Sequence, residues 1–311
     1  MRILITGGGG FIGSHLADRL LAEGHEVLAF DNFATGRHDN LEEREGLVIV
    51  DDTIEEPKTV ERVFRSFGPD SVVHAAASYK DPDAWVQDVR TNALGTVNVV
   101  KATHAAGVER ILYFQTALCY GTTPIEQPVT LEHPLRPDSS YAISKTAGEQ
   151  YIGLSGLDFV SLRLANAYGP RNISGPLPTF FQRLMAAKPV FVMDTRRDFI
   201  YVDDLIDVVM QAVVEGAGHG HYHVSSGSDY AIKELLDATL AALPEVEPEE
   251  EVEVRPKGED DAYTILLDPS RIQQDFGWRP TTPLEEGVAR AIDYYRERGI
   301  EQTYTHLKVG E

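Results

Sequence analysis

Near-continuous apolar runs recur along the first half of the chain: RILIT (2–6), EVLAFD (26–31), LVIVD (47–51), SVVHAA (71–76), ILYFQT (111–116) and FVSLRLAN (159–166). Apolar runs without strict alternation suit strands buried on both faces of a parallel sheet. Between them SHLADRLLAEG, KTVERVFRSFG, NALGTVNVVKATHAAG and SYAISKTAGEQYIGLS have helical character. Strand and helix in alternation predict an α/β fold, a Rossmann-type doubly wound parallel sheet. After residue 166 the pattern loosens into the breaker-rich YGPRNISGPLP. Residues 1–166 therefore read as the main sheet domain, with later segments returning to it. Residues 167–311 read mainly as a smaller α/β region.

Composition narrows the picture. With 311 residues, 42% of them hydrophobic, the chain can build one large core or two modest ones. No apolar run approaches the roughly 20 residues that cross a bilayer, so no membrane partner is expected. Met1 leads straight into a strand and glycine loop with no basic leader, and Cys119 is the single cysteine. Both features fit a reducing cytoplasm. A net charge of −21 argues against nucleic acid as a partner, and much of the excess lies in the solvated run 244–262. An anionic substrate must then be held by a few placed cations.

ITGGGGFIGSHL follows the first strand and opens the first helix, with Gly7, Gly10 and Gly13 as G-x-x-G-x-x-G. Glycine suits a tight turn whose backbone meets a pyrophosphate at a helix N-terminus, here with Phe11 and Ile12 in the first turn. Asp31 ends the second strand, eighteen residues past Gly13, with Asn32 beside it. A carboxylate there accepts ribose hydroxyls and repels a 2′-phosphate, so the expected cofactor is NAD and residues 1–166 form its domain. By position, Asp52, Thr53 and Ile54 at the end of strand three and Ala75, Ala76 and Ala77 at the end of strand four complete the cofactor groove. Arg37 reads as a solvated loop residue.

Tyr141 and Lys145 lie four apart in a helical segment and project from one face. Lys145 and the nicotinamide charge are expected to lower the tyrosine's pKa toward general acid–base work. Thr116, ending strand five, is placed to hydrogen-bond the reacting oxygen.

Together TGGGGFIGSHL, Asp31, YFQTALCYG, SYAISKTAGE and RRDFIYVDDL resemble the extended short-chain dehydrogenase/reductases acting on nucleotide sugars. Within them the chain is similar to the UDP-galactose 4-epimerase type and to the WbmG-like set from bacterial O-antigen clusters. The resemblance implies bound NAD, a Thr116–Tyr141–Lys145 catalytic group and a nucleotide-diphosphate sugar substrate. It also implies a homodimer through helices around 92–107 and 141–154. Dehydratases of this family follow the threonine with Asp-Glu, and uronate decarboxylases keep a glutamate two residues after it; this chain has Ala117 and Leu118. The expected reaction is therefore C4 epimerisation through a transient 4-keto sugar. A ketoreductase, dehydrogenase or dehydratase is the alternative, and a non-catalytic NAD sensor is a more distant one. By the same resemblance Asn166, Arg197 and Arg255 contact the substrate, with Lys257 as a substitute for Arg255. Arg197 in a structural ion pair with Asp198 or Asp203 is the competing expectation. Lys80 and Tyr79 border the sugar without assigned roles.

His219, His221 and His223 alternate, as three imidazoles on one strand face would, but no acidic partner stands near them in sequence. No metal site is expected. Cys119 is not expected to act as a nucleophile, His15 and His74 read as packing residues, and Trp85 and Trp278 as core or interface.

Overall fold

The computed structural model describes residues 1–79, 81–246, 251–258, 261–300 and 302–304; Lys80 and parts of the acidic run lie outside them. Its first half runs β1 (Arg2–Thr6), α1 (Phe11–Ala22), β2 (Glu26–Asp31), β3 (Leu47–Asp51), α2 (Pro57–Phe67), β4 (Ser71–His74), α3 (Trp85–Asp88), a π-helical stretch (Val89–Gly95), α4 (Thr96–Ala105) and β5 (Arg110–Thr116). A 3₁₀ turn (Ala117–Tyr120), α5 (Ser140–Leu154), β6 (Asp158–Leu164), β7 (Asn166–Tyr168), α6 (Pro176–Met185), β8 (Phe191–Met193), β9 (Arg196–Arg197) and β10 (Phe199–Tyr201) follow. The chain continues through α7 (Val202–Val214), β11 (Gly220–Val224), β12 (Tyr230–Ala231), α8 (Ile232–Ala241), β13 (Glu253–Arg255), α9 (Ser270–Phe276) and α10 (Leu284–Arg298).

Seven strands form one parallel sheet in the order β3-β2-β1-β4-β5-β6-β11. The chain winds outward from β1 in one direction and from β4 in the other, so a crevice opens where their C-terminal ends diverge. Alternation divides the buried side chains. Ile3, Ile5, Leu112 and Leu162 join α1, α7 and the C-terminal region, while Leu4, Phe30, Ile111 and Tyr113 join α2 and α4. The later chain returns through β11, which pairs with β6.

Two expected strand ends shift, at SVVHAA and FVSLRLAN, while strand three keeps its expected span. Strand four ends at His74 and strand three at Asp51, so Ala75–Ala77 and Asp52–Ile54 lie in the turns beyond them. FVSLRLAN divides, because the Ala165 amide bonds Val224 O while Asn166 leaves the sheet to start β7 beside β10. Trp278 is buried with its indole donating to Asp204 O, but Trp85 is 66% exposed and is no core residue. Its helix is a single short turn on the surface. Among the described residues no helix is long and apolar enough to cross a membrane.

Candidate active site

A cavity of about 1740 Å³ lies between the C-terminal edge of the sheet and the later elements. Gly7, Gly10, Phe11, Ile12, Gly13, Asp31, Asn32, Thr53, Ile54 and Ala75 to Ala77, the residues expected to hold the cofactor, line one end. Thr116, Tyr141, Lys145, Asn166, Arg197 and Arg255 line the rest. The structure thus gathers the candidate residues from across the chain around one space.

The glycine loop is built for close backbone approach. Gly7 has φ +72°, and a Cβ there would stand 2.7 Å from Ala76 N. At Gly13 a Cβ would stand 2.2 Å from Gly7 O. Gly10 caps α1, so the first-turn amides of Phe11, Ile12 and Gly13 present the helix's positive end to the cavity. The Asp31 carboxylate receives the Gly9 amide at 2.9 Å and the Phe33 amide at 2.8 Å. Burial raises its pKa, and these amide bonds oppose the shift. An open helix N-terminus facing a fixed acceptor suits a dinucleotide with free ribose hydroxyls. Arg37 pairs with Asp39 at 2.7 Å.

At the other end, Thr116 Oγ1 accepts the Leu118 amide at 3.2 Å and so closes the turn after β5. Ser139 caps α5, fixing the first turn that carries Tyr141. Lys145, 2% exposed, places Nζ 4.0 Å from the centre of the Tyr113 ring. Burial pulls its pKa down to about 7, opposed by the Glu149 carboxylate. Burial pushes the Tyr141 phenol upward, and Tyr79 and Asp88 add to the rise. The expected lowering of Tyr141 is therefore opposed by burial, the largest influence on the phenol.

Asn92 escaped the sequence reading. From the π-helical stretch it accepts the Ser78 amide at 2.8 Å and donates to Ser144 Oγ at 3.0 Å, tying the loop after β4 to α5. The sequence offered no distinguishing signal, since Asn92 opens a run that also holds Thr96, Asn98 and Lys101.

The substrate candidates carry unexpected partners. Arg197 pairs with Asp261, sixty-four residues on, and donates to Ala262 O at 2.9 Å. Asp198, on the next position of an extended segment, is instead capped by Ser225 and by Ser226. Asp203 stands 3.7 Å from Arg290. Asn166 Nδ2 donates to Asp198 O at 3.2 Å. Arg255 is exposed, bonded to Glu253 at 2.7 Å and set 3.8 Å over the Phe191 ring. Lys257 bonds the carbonyls of Gly258 and Asp261.

The three histidines go to separate tasks. His219 meets Asp158 at 2.6 Å, His221 stands 3.8 Å from Glu149, and His223 meets Tyr120 at 2.6 Å. Acidic partners thus reach two of them in space, although none is near in sequence. Burial pushes the Cys119 thiol up to about 12, which leaves it a weak nucleophile. His74 lies buried between Thr6 and Thr96, and His15 bonds Pro170 O at 3.0 Å.

The model of the NAD dependent epimerase/dehydratase family matches residues 3–225. The chain is 32% identical over 320 residues to a UDP-glucose 4-epimerase of Mycolicibacterium smegmatis, covering 96% of this chain and 99% of that one. The crystal structure of the Bordetella bronchiseptica enzyme WbmH with NAD+ superposes with a TM-score of 0.92 at 53% identity, over 96% of this chain and 99% of the other. That of Bordetella bronchiseptica WbmG with NAD and UDP gives a TM-score of 0.92 at 42% identity, over 100% and 99% of the two chains.

Proposed function

The chain belongs to the NAD dependent epimerase/dehydratase family, and from that premise we propose that it inverts C4 of a UDP-sugar through a transient 4-keto form. The observation that carries this reading is the cavity wall itself. Thr116, Tyr141 and Lys145 line it together, while Ala117 and Leu118 occupy the places where an eliminating relative keeps carboxylates. Without an acid and base there, elimination lacks its proton carriers.

Bound NAD would supply the hydride acceptor and donor, and its ring charge favours a phenolate. Gly7, Gly10, Gly13 and the amides of Phe11 and Ile12 are assigned to its pyrophosphate, and Asp31 with Asn32 to its adenosine ribose. Thr53, Ile54 and Ala75–Ala77 border the remainder. Tyr141 takes the C4 hydroxyl proton and later returns it, Thr116 Oγ1 holds that oxygen, and Lys145 supports the phenolate as a cation. Asn166, Arg197 and Arg255 are assigned to the nucleotide diphosphate. A volume of about 1740 Å³ exceeds the ~300–1,000 Å³ of a single-ligand pocket, leaving space for cofactor and substrate together and for the keto sugar to turn. Asp31 disfavours the exchangeable NADPH that a ketoreductase uses.

We extend the proposal to a cytoplasmic homodimer. Ile143, Tyr151 and Leu154 form an exposed apolar stripe on α5, and Trp85, Val86, Val89 and Leu94 are exposed nearby in the chain before α4. The apolar surface thus precedes α4, whose Val99 and Val100 are buried.

Purified protein given UDP-glucose, UDP-N-acetylglucosamine or UDP-glucuronate separately, without added cofactor, is followed by NMR. The C4 epimer of one of them is the expected product. No conversion of any, with NAD then added, counts against a UDP-sugar 4-epimerase.

A further inference from the structure

The sheet face under α5 carries two polar rows in register. Tyr113, Ser161 and His221 are neighbours across β5, β6 and β11, and Gln115, Arg163 and His223 form the next row. Glu149 spans both rows. It accepts Ser161 Oγ at 2.5 Å, Arg163 Nε at 3.1 Å and Arg163 Nη2 at 2.8 Å, with His221 Nε2 at 3.8 Å. Arg163 Nη1 donates to Tyr120 Oη at 2.7 Å, and Tyr120 in turn meets His223.

The ion pair is deeply buried, with side chains 2% and 5% exposed. Burying two charges costs free energy that apolar residues of equal volume would not, so the pair adds little as a stability device. Its place points to another use. Glu149 lies one turn beyond Lys145 on the same face of α5. Lys145 itself has no carboxylate within ion-pair distance among the described residues. Facing it are Tyr141 on its own helix, the Tyr113 ring from β5 and His74 from β4. His74, buried between two threonine hydroxyls, brings no negative charge. Around Glu149 stand Arg163 and Ser161 from β6, His221 and His223 from β11, Tyr113 from β5, and Cys119 with Tyr120 from the 3₁₀ turn.

We propose that Glu149 is a positioning residue for the reaction: clamped by Ser161 and Arg163, its carboxylate keeps Lys145 charged over the Tyr113 ring. Arg163 serves as the clamp, and Tyr120 with His223 fixes the clamp's far side. Removing the carboxylate disfavours the ammonium, so Lys145 loses its proton at lower pH. The inference rests on reading Tyr141 and Lys145 as the acid–base pair.

The test is made on the NAD-loaded protein carrying ¹³Cε-labelled lysine, with a Lys145→Met spectrum for assignment. Glu149→Gln is expected to lower the Lys145 titration midpoint by about one to two pH units. The alkaline limb of UDP-glucose turnover should move down in parallel, and Glu149→Asp should restore both. An unchanged midpoint in folded Glu149→Gln protein overturns the proposal. Should that variant fail to fold around an unpaired arginine, Glu149→Gln/Arg163→Met is compared with Arg163→Met alone, and equal midpoints in those two overturn the proposal. The NMR titration needs no substrate. Inactivity toward UDP-glucose, or full activity of Tyr141→Phe, would therefore count against the assigned reaction and leave this measurement standing.

Discussion

The Tyr113 hydroxyl donates to the backbone carbonyl of Lys145 at 3.0 Å while its ring lies under the same residue's ammonium at 4.0 Å. One buried side chain of β5 therefore anchors both the helix and the cation that it presents to the cavity. Strand five reaches the site twice, through Tyr113 beneath the lysine and through Thr116 at its end.

Tyr141→Phe removes the proposed proton carrier and leaves the glycine loop untouched. Turnover should fall by about 10²- to 10⁴-fold with NAD content unchanged, measured by steady-state rates and by release of the cofactor on denaturation. Turnover within a few fold of the parent protein would remove Tyr141 from the mechanism.

Gly13→Ala places a Cβ 2.2 Å from Gly7 O, so the loop must move. A loss of about 1–3 kcal/mol and of NAD retention is expected. Gly153, exposed on α5 with nothing within 4 Å of its added Cβ, is the matched control. Gly153→Ala should stabilise by about 0.5–1 kcal/mol. Denaturant titration followed by tryptophan fluorescence reads stability and cofactor released on denaturation reads retention, and equal behaviour of the two variants contradicts the steric reading.

Burial drives His74 down to about 3 from its ordinary 6.5, and burial likewise lowers His223 to about 4. A folded state that binds protons more weakly than the unfolded chain is favoured above 6.5 and loses stability as pH falls toward these values. Each histidine costs up to about 1.4 kcal/mol per pH unit in that window. Calorimetry from pH 7 to 5 should show a falling thermal midpoint, with a shallower fall in His74→Gln. An equally steep fall in that variant would exclude His74 as a source.

Leu154→Arg or Trp85→Glu puts a charge into the exposed apolar surface of α5 or α3. Sedimentation velocity should show a dimer for the parent chain and a monomer for these variants, with thermal stability of the chain itself little changed. A parent chain that sediments as a monomer at micromolar concentration defeats the dimer.

Strands, glycine loop and the helix bearing Tyr141 and Lys145 were legible in the sequence because each rests on residues close together in the chain. An apolar run, a G-x-x-G-x-x-G at a strand end and a tyrosine four residues before a lysine are local facts. So too is the missing carboxylate pair after Thr116. Arg197 was legible as a cavity residue but not as the partner of Asp261, because nothing local brings residues sixty-four apart into contact. The same holds for His221 and Glu149, whose meeting depends on the register of β11 against β6.

By itself, then, the sequence determined which chemical groups stand at the strand ends and helix starts, since secondary structure and turn geometry follow from neighbouring residues. Tertiary structure alone decided how those groups are charged and what steadies them. Ionisation depends on how much water folding removes, and here folding removes enough to bring Lys145 to about 7 and to raise Tyr141 rather than lower it. The steadying layer beneath them, Glu149 on Ser161 and Arg163, exists only where a helix and separate strands close on one another.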